Sequence, residues 1–564
     1  MSEIICKVSG RGYGGEITGE VVLEEDRIRT IRIDSHQETP GIGDLAIPII
    51  CGRIIEHNAI DVDAVSGATV TSGAVKKLVT KAIQESGGDP QTFRRGMKTV
   101  VRSHQQLQVD VLVAGAGIGG YCAAIEAVDQ GAKTLLLEKL DIIGGTAIVA
   151  GDAIMASNSY LNREQGDESR EMADWWYECQ EKHYNISYEQ LLYVAKHAGE
   201  LVDWIHERSG VDFQLGFGGG SPKKWSHRPV FLPGEADNNH GTPRFIHGLD
   251  NYYQSHGGIL MTGTRVTELL IDERGAVIGV KAQSRTQDYT IYAKGGVILA
   301  TGGYENNKEL VKRFAPDCLH MRNNGYTAGD TGDGIFLCEQ AGAKMAYAGY
   351  LMGSWNHMDK VGSYGIEPLF FKHKQKCIEV NAKMERFYNE NSGPIKEKTA
   401  FAKDGTREFY VIFDSSFEAE TLDRFDAAAR GKAMWKSESI EGLAEQIGKS
   451  PLALKSTVAH WNQMAAAGLD TDFGNALIAP LDQPPFYMAR VYEMSTGSYG
   501  GAAINISAQV VRCDGSPIDG LYATGELANG NFFYRCYICG GSSFAMSGVF
   551  GRTAAMHATG RIRL

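Results

Sequence analysis

With 564 residues, 43% of them apolar and 22% charged, the chain has the make-up of a globular protein of several domains, and not of a disordered or fibrous one. A formal charge of −12 and a pI near 5.7, with no strongly basic stretch to offset them, argue against a nucleic-acid partner. Glycine contributes 68 residues, well above the usual ~7%, which suits a backbone that must approach phosphates and flat rings closely. The start, Met1-Ser2-Glu3-Ile4-Ile5-Cys6, has no basic segment, apolar core or small-residue cleavage site. Nowhere do about 18 apolar residues run together, so no membrane span and a cytoplasmic location are expected. The ten cysteines form no repeating framework, as in a reducing compartment. Cys536 and Cys539 have C-x-x-C spacing but no further ligands at matching spacing. They read as small apolar loop residues, and no metal is expected.

In chain order, short strands are predicted over 16–22 and 28–33, around the turn Glu24-Glu25-Asp26. The segment Ser35-His36-Gln37-Glu38-Thr39-Pro40-Gly41 follows, then Asp61-Val62-Asp63-Ala64-Val65-Ser66-Gly67-Ala68-Thr69. A helix is predicted from about Gly73 to Gln84, ended by Gly87-Gly88-Asp89-Pro90. Ser66, Gly67, Ala68 and Thr69 thus form a small-residue turn opening a helix, where outward N–H groups favour a phosphate. Alone, such a turn is usually only a helix cap. The stretch resembles the FMN-binding domains of sodium-pumping quinone reductases and of urocanate and fumarate reductases. Asp63, Ser66, Gly67, Ala68 and Thr69 match their Asp-x-x-Ser/Thr-Gly-Ala-Thr, and His36, Glu38 and Thr39 match an upstream His-x-Glu-Thr. The resemblance implies FMN bonded covalently to Thr69 through a phosphoester made by a separate flavin transferase.

The run Val109-Asp110-Val111-Leu112-Val113-Ala114 reads as a buried strand. It leads into Gly115-Ala116-Gly117-Ile118-Gly119-Gly120, a helix to about Gln130, and a second strand over 133–137 ending at Glu138. This is Gly-x-Gly-x-x-Gly in strand–turn–helix context, with an acid 18 positions after its last glycine, the dinucleotide-binding arrangement. Gly115 allows the tight turn, Gly117 lets the backbone reach a pyrophosphate, Gly120 packs helix on strand, and Glu138 takes the ribose hydroxyls. Distant glycine-rich returns follow: Lys139 and Gly144-Gly145-Thr146, Gly151-Asp152-Ala153, Gly329-Asp330-Thr331-Gly332-Asp333-Gly334, Ala523-Thr524-Gly525-Glu526 and Gly540-Gly541-Ser542-Ser543. Such sequence-distant returns to one cofactor suit an extended FAD.

From about residue 105 to the end, these segments resemble soluble fumarate reductases, succinate dehydrogenase flavoproteins and ketosteroid dehydrogenases. The resemblance implies non-covalent FAD contacts at Gly115, Gly117, Gly120, Glu138, Lys139, Gly144, Gly145, Thr146, Gly151, Asp333, Gly525, Glu526, Ser542 and Ser543. The expected fold is α/β: a Rossmann-like FAD-binding domain with an inserted α+β cap domain, preceded by a small α+β FMN-binding domain. The boundaries expected are 1–90 for the FMN-binding domain and 91–108 for a linker. FAD-binding segments over 109–349 and 489–564 flank the cap, 350–488.

Dicarboxylate reductases of this kind hold substrate carboxylates with histidines and arginines, since a buried charge needs paired, hydrogen-bonded cations. Here their His-His-Thr-Met-Gly-Gly becomes Thr496-Gly497-Ser498-Tyr499-Gly500-Gly501. Their Asn-Arg-Leu-Gly-Gly-Asn becomes Tyr537-Ile538-Cys539-Gly540-Gly541-Ser542, and their proton-donating arginine aligns near His373. Fumarate is therefore not the expected main substrate. Tyr537-Ile538-Cys539-Gly540 instead resembles the Tyr-x-Ser-Gly of 3-ketosteroid Δ4-dehydrogenases, whose tyrosine handles the proton. A neutral enone needs an apolar slot and a weak acid at its α-carbon. Tyr537 is the first candidate acid, with Tyr499 and His373 behind it.

The expected activity is an ene-reductase in which electrons pass from covalent FMN to FAD and then, as hydride, to a neutral enone such as a steroid or phenolic. The electron donor is unidentified. Two rivals stand beside it: reduction of a mono-carboxylate acrylate such as urocanate, with Arg535 or Lys372 on the carboxylate, and an electron-transfer module of a larger complex.

Overall fold

The structure is a computed structural model and describes the chain apart from residues 1–3, 25, 40, 95–101, 151–152, 217–221, 231–240, 324–327, 359–375, 393, 406, 477, 536 and 563–564. The chain divides into two compact units. One comprises 1–316, 325–350 and 497–564, and the other 317–324 and 351–496.

The first unit begins with a three-stranded antiparallel sheet of β1 (Ile4–Arg11), β2 (Glu16–Glu24) and β3 (Arg27–His36). Period-two alternation turns Ile17, Val21 and Leu23 of β2 inward, as a half-buried strand requires. Helices α1 (Gly43–His57) and α2 (Thr69–Glu85) supply Ile47, Ile50, Ile54, Val75, Leu78, Val79 and Ala82 to the same core, the one-face spacing of an amphipathic helix. Helix α2 starts at Thr69, four residues ahead of the Gly73 expected from the sequence. Thr69-Val70-Thr71-Ser72 is a run of poor helix formers, but tertiary bonds override propensity there. The Ser72 hydroxyl donates to the Ala68 carbonyl at 2.9 Å and accepts the Val65 N–H at 3.0 Å.

Next come β4 (Ser103–Ala114), α3 (Ile118–Asp129) and β5 (Thr134–Leu137), with β4 and β5 parallel from Val111↔Thr134 to Ala114↔Leu137. They lie in an eight-stranded sheet. Its path runs Arg265–Ile271, Val277–Gln283, Gln287–Leu299, β4, β5 and Ile259–Met261, with Pro517–Ala523 parallel to Gln287–Leu299 and Gln509–Val511 beside it. Both faces of β4 are covered, so its last residues read as a continuous apolar run and not as an alternation. The C-terminal helix Ser542–Ile562 closes against α3, where a Cβ on Gly551 would lie 2.3 Å from the Gly119 carbonyl.

The second unit holds Cys377–Asn381 antiparallel to Phe409–Phe413, which in turn pairs with the first part of Phe486–Ala502. Its core has an aromatic cluster around Phe401, Phe413, Phe425 and Tyr487 and a mixed one in which Ile378, Ile412, Leu443 and Leu454 join Trp461. Buried Arg386 is paired with Glu390 and Asp470, both at 2.7 Å, so each buried charge has a partner. Among the described residues, no helix is long and apolar enough to cross a membrane.

Candidate flavin sites and active site

Helix α2 begins on Ala68, which offers no side-chain cap, and both Ser66 and Thr69 are exposed. Gly67, at φ +94°, turns the chain where a Cβ would strike Ile142 at 2.8 Å. The helix N-terminus therefore keeps its N–H groups for an anion and puts a hydroxyl beside them. Beneath it lies Glu38, 5% exposed, which accepts a bond from the Thr71 hydroxyl and one from the Gly14 N–H at 3.1 Å. A Cβ on Gly12, Gly14 or Gly43 would collide with Glu38 or its neighbour Gln37. The Glu38 N–H points to His36 Nδ1 at 3.3 Å, and the Thr39 carbonyl accepts the Gly43 N–H at 2.9 Å. The segment His36-Gln37-Glu38-Thr39 thus props the turn that ends at Thr69. These residues fit a flavin phosphate.

The second cradle forms between β4 and α3. Gly115, at φ +107°, brings the turn so close to the Ala300 carbonyl that a Cβ would lie at 2.1 Å, and a Cβ on Gly120 would lie 1.8 Å from the Gly115 carbonyl. Gly117 is different: a Cβ there would meet only the Gly144 carbonyl at 3.9 Å, and one on Gly145 only the Gly117 Cα at 3.7 Å. The two glycine turns are joined by the Gly144 N–H, which donates to the Ala116 carbonyl at 2.9 Å, and α3 starts beside them on Gly117 with no side-chain cap. Glu138, 7% exposed, accepts the Ala116 N–H at 2.9 Å and the Leu140 N–H at 2.8 Å. Burial raises its carboxyl above the ordinary range, and those two N–H bonds oppose the rise. Uncrowded glycines, an uncapped helix terminus and a buried carboxylate fit an extended dinucleotide.

The structure gathers the other expected flavin residues in the same unit. Lys139 Nζ lies 2.7 Å from Thr331 Oγ1 and 3.1 Å from Asp333 Oδ2, and Arg265 also pairs with Asp333 at 2.8 Å. Burial works to raise the Asp333 carboxyl, but these cations and Thr331 outweigh it and hold the group below its usual range. The Thr146 hydroxyl donates to Asp330 at 2.8 Å, and so does the Gly303 N–H at 3.1 Å. Glu526, beside Gly525, accepts from the Ser498 backbone N–H and, at 3.0 Å, from the Ser498 hydroxyl. Its burial, with Asp330 nearby, pushes its carboxyl up to about 8. Asp330, Ser498 and Arg265 went unselected in the sequence. Asp330 had a signal, the repeated Gly-Asp in Gly329-Asp330-Thr331-Gly332-Asp333, whereas Ser498 and Arg265 reach the site only by folding. Gly151 and His373 lie outside the described residues, as do Cys536 and Lys372.

Tyr537 and Ser543 meet at the start of the C-terminal helix, where the tyrosine hydroxyl accepts the Ser543 N–H at 3.3 Å. The Ser542 hydroxyl donates to the Cys539 carbonyl at 2.9 Å. Enclosure of the Tyr537 hydroxyl pushes its pKa up to about 12, with Cys539 adding to the rise. The ring stacks on Phe533 at 5.5 Å, and Phe533 in turn lies 5.8 Å from Tyr499. Tyr499 and Phe533 are fully buried, and Ile538 is 8% exposed. Arg535 is exposed and lies over the Tyr350 and Tyr534 rings, 5.1 Å from each centroid. Cys539 is buried with its thiol 2.9 Å from Met155 Sδ. Two of the three candidate acids, Tyr537 and Tyr499, are thus joined through Phe533 in one aromatic cluster.

Comparison with known proteins agrees with this layout. Residues 110–543 match the FAD binding domain family, and residues 12–84 match the FMN-binding domain family. Urocanate reductase of Eggerthella lenta is 30% identical over 98% of this chain and 91% of its own. NADH:acrylate oxidoreductase of Vibrio harveyi is 26% identical over 92% of this chain, which spans 58% of that longer protein. Digoxin reductase of Eggerthella lenta is 27% identical over 79% of this chain and 86% of its own. In fold, 81% of this chain superposes on 78% of a flavocytochrome c3 fumarate reductase in its open conformation, with a TM-score of 0.65 at 25% identity. The chain belongs to the FAD binding domain family of flavin oxidoreductases, with an FMN-binding domain joined ahead of its FAD-binding body.

Proposed function

We propose that the protein is a reductase of activated C=C bonds whose substrate is a neutral, mostly apolar enone, with FAD held non-covalently and FMN bonded to Thr69 by a separate flavin transferase. Bound FAD supplies hydride to the β-carbon of the alkene, and FMN supplies an inlet for electrons from a donor. That inlet favours reduction as the working direction. The observation that carries the substrate class is the buried Ile538 beside Tyr537, Phe533 and Tyr499, where the dicarboxylate reductases it resembles keep an arginine. An unpaired carboxylate there would lose hydration worth several kcal/mol.

Tyr537 has the proton-donor role. Because its oxygen accepts the Ser543 N–H, its own hydrogen stays available for the substrate α-carbon. With its pKa pushed up to about 12, it keeps that hydrogen at neutral pH. As the proton leaves, charge develops at the first turn of the Ser542–Ile562 helix, whose N-terminal N–H groups stabilise an anion.

A second reading, reduction of a mono-carboxylate acrylate, is favoured by Arg535, a cation just before Tyr537 in the sequence that lies over the Tyr534 ring, and by the 30% identity to a urocanate reductase. The experiment that separates them is anaerobic reduction of the two-flavin protein followed by a panel of alkenes, read as flavin reoxidation. Neutral enones reoxidise it and fumarate does not under the first reading. Reoxidation by acrylates alone, abolished by Arg535→Glu, establishes the second.

A further inference from the structure

The FMN-bearing turn does not stand free of the FAD-binding domain. The Ser66 N–H, three residues before Thr69, donates to Asp141 Oδ2 at 2.8 Å. The other oxygen of Asp141 accepts from Arg53 Nη2 at 2.7 Å, and Arg53 Nη1 reaches back to the Ala64 carbonyl at 2.9 Å. Both side chains of the pair are largely buried, at 15% and 18% exposure, so the interaction is less screened than a surface pair. Apolar contact seals the same joint, because Ile142 is buried in the core of the N-terminal domain and Leu140 packs against it. Leu140 is at the same time the residue whose N–H is held by Glu138, in the dinucleotide cradle. A short chain of bonds therefore runs from the Thr69 turn through Asp141 and Leu140 to Glu138.

We propose that Asp141 is a positioning residue that locks the FMN-bearing turn onto the FAD-binding domain and so fixes the spacing across which electrons pass between the two flavin sites. The proposal rests on the reading of Thr69 as the FMN carrier and of the Gly115–Gly120 turn as an FAD site. Each alkene reduced takes two electrons and two protons. Both electrons enter at the FMN site from an external reductant and leave by way of the FAD site, so a loosened joint slows every turnover without touching the alkene site. Arg53 has a supporting part, since it orients the Asp141 carboxylate and ties it to the backbone just before Ser66.

The test compares wild type, Asp141→Ala and the milder Asp141→Asn, each made with a flavin transferase and loaded with FAD. In-gel flavin fluorescence of the denatured chains comes first: absence of FMN from wild type sinks the Thr69 reading and with it the spacing role, whereas the clamp itself is judged by the exchange measurement alone. With FMN and FAD contents equal to wild type, two measurements decide. Hydrogen exchange of the peptide containing Ser66, in protein prepared without flavins, is expected to speed up by about tenfold or more in Asp141→Ala, the scale of losing one charge-assisted bond. Stopped-flow reduction by a reduced viologen is expected to show the FMN phase unchanged and the FAD phase slowed, with Asp141→Asn intermediate because it keeps one acceptor for the Ser66 N–H. Unchanged exchange overturns the clamp. Faster exchange with an unchanged FAD phase overturns its part in spacing the flavins.

Discussion

Glu138→Ala puts the dinucleotide cradle to its strictest test. The carboxylate, 7% exposed, is the acceptor for both the Ala116 and the Leu140 N–H. Alanine removes both acceptors at once, and each buried donor left without a partner costs about 1–3 kcal/mol. Water entering the vacated space recovers part of this, which leaves a loss of about 2–4 kcal/mol concentrated in the two turns that would face the cofactor. The ribose acceptor disappears as well. At a factor of ten for each 1.4 kcal/mol, FAD affinity is expected to fall by about 10²-fold or more. Glu138→Gln, which keeps one carbonyl oxygen, should fall between. The assay is fluorescence titration of FAD into protein that already carries FMN, with FMN content read on denaturing gels. FAD affinity within about threefold of wild type, or equal loss of both flavins in a variant that melts like wild type, refutes the two-site reasoning.

Tyr537→Phe is expected to slow alkene reduction by about 10²-fold or more, the scale of a lost general acid, while FAD reduction stays at the wild-type rate. Full-speed turnover in stopped-flow passes the role to Tyr499 or His373. Glu526→Gln tests the buried carboxyl. Its folded pKa, about 8 against an ordinary 4.5, means that the folded chain holds the proton more tightly than the unfolded one. The stability it lends is therefore full below about pH 4.5 and is lost as pH rises toward about 8. Glutamine stays neutral, so in flavin-free protein the variant should match wild type at low pH and gain on it across that window by up to ~1.4 kcal/mol per pH unit. Parallel melting curves for the two proteins at all pH values would contradict this.

What the sequence disclosed follows from how local each signal is. The Gly115-to-Glu138 unit is legible because strand, tight turn, helix and strand are all encoded within about 30 residues. The Thr69 turn is legible for the same reason, but the start of its helix is not. Thr71 and Ser72 are held in helix by Glu38, Val65 and Ala68, partners that propensity does not see. Lys139 and Asp333 were both expected at the cofactor, yet their pairing with each other across 194 positions emerges only in the fold. Asp141 is the plainest case. Nothing in Leu140-Asp141-Ile142 announces that it receives a backbone N–H from a residue 75 positions earlier. Non-local partners of this kind leave no periodicity or spacing to read.

In the proposed route, electrons enter at a flavin on Thr69 and leave through a second flavin to an alkene. The most direct measurement titrates fully reduced, anaerobic wild type and Thr69→Ala with a neutral enone and counts the alkene consumed per protein. Wild type should consume twice as much as the variant, since both flavins drain through one alkene site, and the variant should still turn over its FAD electrons. Equal consumption by the two proteins, or alkene reduction that disappears altogether with Thr69 while FAD stays bound, would overturn this route.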